Sequence, residues 1–283
     1  MSFFLFFLGE GGGARCADSS RACVSASGVV ACAMRLLFRC MSWLLLPGML
    51  LPLAAQMPSD CTQAVVGITD GWNSSEVSLS VVERSRSGGW QRVLGPFRGR
   101  LGRNGSVWGR GLHPTVRGAV QKREGDGRSP AGIFALGGLW VTNATPVQHD
   151  ARIPYVRVTP ADLWVTDERL PKLYNRWVRL DHPASTPWEL HEQMRQTDDA
   201  HSIKLLVCHN TPDVPGGVVV GGGAAIFFHI WRRGGALPTA GCTAMDEGQL
   251  RVLIARLQAS RRPVYILLPR AEYARLRAAW QLP

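Results

Sequence analysis

The chain has 283 residues, 46% of them hydrophobic and 19% charged, and carries a formal net charge of +11. This composition excludes wholesale disorder and allows one large domain or two modest ones around a substantial core. The basic balance points to anionic partners: nucleic acid, anionic lipid or an anionic cell wall.

From Met34 the chain reads "MRLLFRCMSWLLLPGMLLPLAAQ", two arginines followed by an apolar run that ends in small residues. That is the layout of a secretory signal peptide, expected here over residues 34–55 with cleavage near Ala55. The apolar run is short for a membrane span and is broken by Pro47, Gly48 and Pro52; an uncleaved inner-membrane anchor is the alternative. Residues 1–33 show no sustained periodicity and form a doubtful extension, so translation is expected to begin at Met34 or Met41. A chain starting at Gln56 loses four arginines against Glu10 and Asp18, which leaves a net charge of +9. Export favours a wall or lipid partner over nucleic acid. Four of the seven cysteines precede Gln56, leaving Cys61, Cys208 and Cys242. In an oxidising compartment an odd count leaves a thiol over, and a Cys61–Cys208 disulfide would make Cys242 the free one.

Between Ala64 and Gly118 short apolar runs alternate with glycine-rich turns: "AVVGITDGW", "EVSLSVVER", "GWQRVLGPF" and "GSVWGRGL". Such spacing predicts strands of about five residues and a β-rich body. Asp126 and Gly127 in "KREGDGRSPAGIF" give a hairpin signal. From Thr142 to Ala200 six prolines interrupt aromatic patches, a long irregular insertion of the kind that shapes a cleft. "SIKLLVCHN" and "AAIFFHIW" read as buried strands. In the second, period-two alternation puts Phe227, His229 and Trp231 on one face and Ile226, Phe228 and Ile230 on the other, with the aliphatic face packed and the histidine face bordering a cleft. Leu250, Leu253, Ile254 and Leu257 follow helical spacing behind an Asp246/Gln249 capping pair. Cys242, in "PTAGCTAM", is therefore expected in the turn before a helix, where the dipole and free N–H groups favour a thiolate and an oxyanion.

A histidine on a strand, a cysteine in a glycine turn and a helix start are the parts of acyl transfer. From spacing alone, a core histidine and an inert buried cysteine stand as an equal alternative. The segments "KREGDGRSPAGIF", Tyr174–Asn175, His209–Asn210 and "AIFFHIWRRGGALPTAGCTAM" with the helix after it occur in an order that resembles the L,D-transpeptidase (YkuD-like) catalytic domain family of bacterial cell walls, over roughly Gly95 to Pro269. The resemblance implies a mainly β, sandwich-like fold with few helices, one of them after the cysteine, in a single catalytic domain over 56–283. It also implies that Cys242 attacks the amide carbonyl of a peptidoglycan stem peptide, that His229 takes its proton, and that the Gly241 and Cys242 backbone serves the oxyanion. Thr239 stands where the motif has serine.

The chain departs from the motif: T-A-G-C-T-A replaces S-H-G-C-x-R, with Ala240 for the second histidine and Ala244 for the arginine. Arg232 and Arg233 are candidates to replace the lost carboxylate clamp, and a solvated loop is their plainer reading. Asn210 is expected to bind substrate or to hold the loop shaping the cleft. Lys122, Arg123, Asp126 and Arg128 read as turn and surface residues, and Arg98, Arg100, Arg103, Arg110 and Arg117 as a solvated basic face. No metal or cofactor is expected: Cys208, His209, His229 and Cys242 lack zinc-ligand spacing. The expected activity is an exported acyltransferase in the bacterial periplasm or envelope. The alternatives are a cysteine peptidase or amidase cutting wall peptides, and an inactive wall-binding module.

Overall fold

In "EVSLSVVER" every second residue is apolar, and in the computed structural model Val77, Leu79 and Val81 turn inward while their neighbours face out. The structure describes residues 57–144, 146–194 and 198–283; the extension at 1–33 and the signal segment at 34–55 lie outside these. Among the described residues no helix is long and apolar enough to cross a membrane.

Strands β1 (Gln63–Thr69), β2 (Glu76–Arg84), β3 (Trp90–Arg100) and β4 (Ser106–Trp108) coincide with the four apolar runs. They are followed by β5 (Ser129–Val141), β6 (Tyr155–Arg157), β7 (Asp162–Val165), β8 (Arg176–Arg179), helix α1 (Pro187–Glu192), β9 (Ile203–Val207) and β10 (Phe227–Ile230). The chain ends with β11 (Thr243–Met245), α2 (Glu247–Arg256), β12 (Val264–Pro269) and α3 (Arg270–Leu276). The ring order is β12, β1, β2, β3, β11, β10, β9, β5, and β12 pairs again with β5. Eight strands therefore close a mixed barrel. The expected sandwich is corrected on this point: its two layers would leave edge strands, and the β12–β5 pairing removes them.

Every strand of the ring feeds one interior cluster, including Val65, Leu79, Phe134, Leu205, Phe228, Met245 and Tyr265, and α2 adds Leu250, Leu253, Ile254 and Leu257. Burying Phe228 completely contributes about 3 kcal/mol of transfer free energy at the upper end for such side chains. The outer face of β1, β5 and β12 is covered by a second cluster with Trp108, Leu276 and Trp280, which explains why β1 and β12 are apolar on both sides. A third, smaller cluster covers the outer face near β10, where Trp164 of β7 meets Phe227 at 5.0 Å and 78°. The proline-punctuated insertion thus roofs part of the sheet.

The Asp126–Gly127 signal does not make a hairpin. β4 and β5 run parallel, with Ser106 opposite Ser129. The intervening loop is closed by the Asp126 carboxylate, which accepts from Arg123 N at 2.9 Å, Arg128 N at 2.8 Å and the Lys122 ammonium at 2.5 Å. Burial pushes this carboxyl up, but the Arg123 N–H, the Lys122 ammonium and the Arg128 N–H outweigh it and hold the group below the usual range.

Candidate active site

β10 and β11 are parallel neighbours, with Phe228 opposite Thr243 and His229 opposite Ala244. Continuing that register by one residue places Cys242 beside Phe227, so Cys242 and His229 share the outer face of the barrel. One diagonal separates them, roughly 8 Å between Cα atoms from ordinary strand rise and spacing. Ile226, Phe228 and Ile230 fill the interior, as the alternation requires.

The helix start does not adjoin the cysteine. β11 intervenes, and α2 begins at Glu247 behind Asp246, whose carboxylate accepts from Gln249 N at 3.1 Å. A three-residue strand is too short to show periodicity, which is why the sequence reads straight from cysteine to helix. The thiol lacks the expected depression: burial pushes its pKa up, opposed by the Phe227 N–H and the positive charges of Lys122 and Lys204. Sγ lies 3.4 Å from Phe227 N and 3.4 Å from the Ala225 carbonyl, an acceptor for the S–H. The resting group is a neutral, partly buried thiol.

Thr239 builds the turn that presents it. Its Oγ1 donates to the Cys242 carbonyl at 2.7 Å and accepts from Gly241 N at 3.1 Å. The Gly241 N–H is thereby engaged, which corrects its expected role as an oxyanion donor, and Thr239 holds the turn rather than facing substrate. A Cβ on Gly241 would stand 3.0 Å from the Arg128 carbonyl, so glycine is needed for close approach.

His229 is buried, and its Nδ1 lies 2.7 Å from the Ile230 carbonyl. A carbonyl only accepts, so Nδ1 carries the proton and Nε2 holds the lone pair. Burial and then the neighbouring His201 drive the imidazole pKa down to about 3, against the bond to Ile230. The rings of His201 and His229 stand 4.7 Å apart, and His201 Nδ1 contacts Asp198 at 2.7 Å. Lys204, opposite His229 on β9, is buried with its ammonium on the Met194 carbonyl at 2.8 Å and its pKa lowered to about 8 by burial.

Cys242 opens into a cavity of about 220 Å³ lined by Arg103, Lys122, Glu124, Thr166, Ala225 and Gly241 among others. His229 does not line it: the histidine face, expected to border the cleft, is covered, and among the described residues no hydrogen bond joins the imidazole to Sγ. Arg232 does not line it either, because both Nε and a terminal nitrogen of its guanidinium bind Asp198 at 3.0 and 2.6 Å. Asn210 is fully buried and ties down the glycine loop through the Val219 and Gly223 carbonyls and Val219 N, leaving nothing for a substrate. Lys122 is buried at the cavity and not a surface residue. Sequence reasoning also missed Arg103 and Glu124 as cavity residues. Arg103 is brought to Cys242 by the Gly102–Thr239 bridge, a pairing across 137 positions, and Glu124 is held by the distant Gly221 carbonyl and Tyr174 hydroxyl; neither leaves a local signal.

A larger cavity, about 440 Å³, surrounds Cys208, Gly137 and Gly138, where burial pushes the thiol up to about 12. Cys61 donates to the Gln63 carbonyl within the second cluster. Among the described residues Cys61, Cys208 and Cys242 are all free, which corrects the expected Cys61–Cys208 disulfide. A non-reducing digest of the protein alkylated in denaturant should return the peptides of Cys61, Cys208 and Cys242 each carrying label; a linked Cys61–Cys208 peptide would contradict the structure. Among the described residues no three His, Cys, Asp or Glu side chains are grouped to hold a metal ion. Comparison of the chain with models of known families, with curated proteins and with solved structures returned no match.

Proposed function

We propose that the protein is a cysteine acyltransferase of the L,D-transpeptidase kind, acting on peptidoglycan stem peptides in the bacterial envelope. The observation that carries this reading is the placing of Cys242 and His229 one diagonal apart on one sheet face, with the sulfur at a charged cavity. In the resting state both groups are neutral, so the proton moves as the bond forms. Sγ attacks the donor's amide carbonyl, its proton passing to His229 Nε2. The tetrahedral intermediate collapses, the amide C–N bond breaks and Nε2 returns the proton to the leaving amine. The Cys242 N–H serves the oxyanion, since that of Gly241 is bound to Thr239. An acceptor amine then attacks the thioester, Nε2 takes its proton, and the thiolate regains it on release. Water in place of the amine gives the hydrolase reading with the same residues.

His229→Gln keeps a donor near the Ile230 carbonyl but removes the base. Acylation of Cys242 by a disaccharide tetrapeptide should slow by a factor on the order of 10² to 10³. The alkylation-rate profile of the thiol should keep its inflection above that of a free cysteine in both forms, because burial and not the imidazole sets it. Equal acylation rates in the two proteins would remove His229 from the mechanism.

A further inference from the structure

The charged groups around Cys242 are unevenly satisfied. Lys122 is neutralised within the fold by Asp126 at 2.5 Å and reaches the Arg123 carbonyl at 3.0 Å. Arg103, by contrast, forms no side-chain hydrogen bond and no ion pair among the described residues. Its backbone is nevertheless fixed to the cysteine turn, with Arg103 N on the Thr239 carbonyl at 2.8 Å and Gly102 N on Ser129 Oγ at 3.0 Å. The guanidinium lies over Gly127, where a Cβ would stand 2.9 Å from Cζ. Glu124 is the counterpart. Its Oε2 accepts from the hydroxyl of the fully buried Tyr174 at 2.6 Å, and its backbone N–H is held by the Gly221 carbonyl at 2.8 Å. This carboxylate is oriented by neutral donors, the Tyr174 hydroxyl and the Gly125 N–H at 3.3 Å, and among the described residues it binds no cation and forms no ion pair with Arg103.

A cavity of about 220 Å³ is smaller than a site for a whole drug-sized ligand and suits one residue of a longer chain. Its walls are apolar at Ala224, Ala225, Ile226 and Ala240, and Arg103 and Glu124 stand exposed on its rim, where a ligand residue entering the cavity meets both. An unpaired guanidinium and an oriented, unpaired carboxylate at one small cavity complement a ligand residue that carries both charges. We propose that Arg103 and Glu124 are specificity-determining residues that take a zwitterionic part of the donor, its carboxylate on Arg103 and its ammonium on Glu124. This rests on the reading of Cys242 as the acylated residue. The guanidinium offers a bidentate fork to the carboxylate, and the Tyr174 bond keeps Glu124 aimed without neutralising it.

The test uses three stem tetrapeptides: one with its side-chain carboxylate and ammonium free, one with that carboxylate amidated and one with that amine acetylated. Two quantities are read for each with the full chain: the rate of Cys242 acylation, and the protection of Cys242 from iodoacetamide. For the wild type, capping either charge should weaken both by about tenfold or more, as expected for one lost charge-assisted contact. Arg103→Gln should lose the preference for the free carboxylate while keeping that for the free amine. Glu124→Gln, which retains an acceptor for Tyr174, should show the reverse. Thermal melting confirms that both variants fold.

Protection that follows this pattern without any acylation would uphold the charged subsite and overturn acyl transfer. Acylation that ignores the capping, or a wild-type preference unchanged in both variants, would overturn the subsite and leave acyl transfer standing. A free peptide that neither acylates nor protects would count against both.

Discussion

Replacing Cys242 with alanine is expected to abolish acyl-enzyme formation while the protein stays folded. The sulfur is the nucleophile in the proposed chemistry, and no other thiol shares its cavity: Cys208 lies at the larger cavity and Cys61 in the second apolar cluster. What the fold loses is small. Sγ makes two 3.4 Å contacts, to Phe227 N and to the Ala225 carbonyl, and borders space that water can fill. The cost is about 1 kcal/mol, which lowers the melting temperature by roughly 2–4 °C in a domain of this size. Mass spectrometry of the variant after incubation with stem peptide should show the unmodified protein alone. An adduct on Cys242→Ala would move the chemistry to another residue.

The largest expected effect on stability comes from Asp126→Ala. This change leaves the Lys122 ammonium buried without its partner and frees the N–H groups of Arg123 and Arg128. Breaking a buried pair on one side costs about 3–5 kcal/mol, and the lower figure applies because Lys122 retains the Arg123 carbonyl and Asp126 is partly exposed. The melting temperature should fall by roughly 6–12 °C. The sign of the pH dependence follows from the lowered folded-state pKa of Asp126. Its contribution is complete above the unfolded carboxyl value, near pH 4, and is lost as pH falls through the lower folded value. Wild type and variant should therefore differ most at neutral pH and converge below about pH 4. A constant difference across that range, measured by thermal melts, would show that the pair does not stabilise the loop.

The four amino-terminal strands were legible as short apolar runs between turns, and β2 and α2 also by the alternation or helical spacing that burial follows; β10 was legible as a buried strand, but both of its faces are covered. Closure of the barrel was not. It depends on β12 pairing with both β1 and β5, contacts between segments more than a hundred residues apart. The Asp-Gly turn was misread for a related reason: a carboxylate that binds backbone N–H groups closes a crossover loop as well as a hairpin, and only the parallel register of β4 and β5 separates the two. Thr186 and Glu189 form a full capping box, with Pro187 in the first turn, and that local signal for α1 could have been found inside the insertion.

At the site, the sequence singled out Cys242 and His229 by residue type and strand period, and the β10–β11 register sets them on one sheet face. It missed the groups around them. Lys122 reads as a surface lysine until the Asp126 loop folds it inward, and Arg103 reads as one arginine among several until Gly102 pairs with Thr239. The expected thiolate was overturned by burial and by the strand that separates the cysteine from its helix. The arginine expected as a clamp, Arg232, is already engaged by Asp198.

The most direct measurement of the central claim is intact-mass analysis of the wild-type protein during incubation with a disaccharide tetrapeptide, followed by peptide mapping of any adduct. The account predicts a mass gain equal to the donor less its leaving amine, held as a thioester on Cys242 and released by hydroxylamine, with cross-linked dimer or trimmed stem peptide appearing as it decays. An unmodified protein beside unchanged substrate, or an adduct mapped to Cys208 or Cys61, would contradict it.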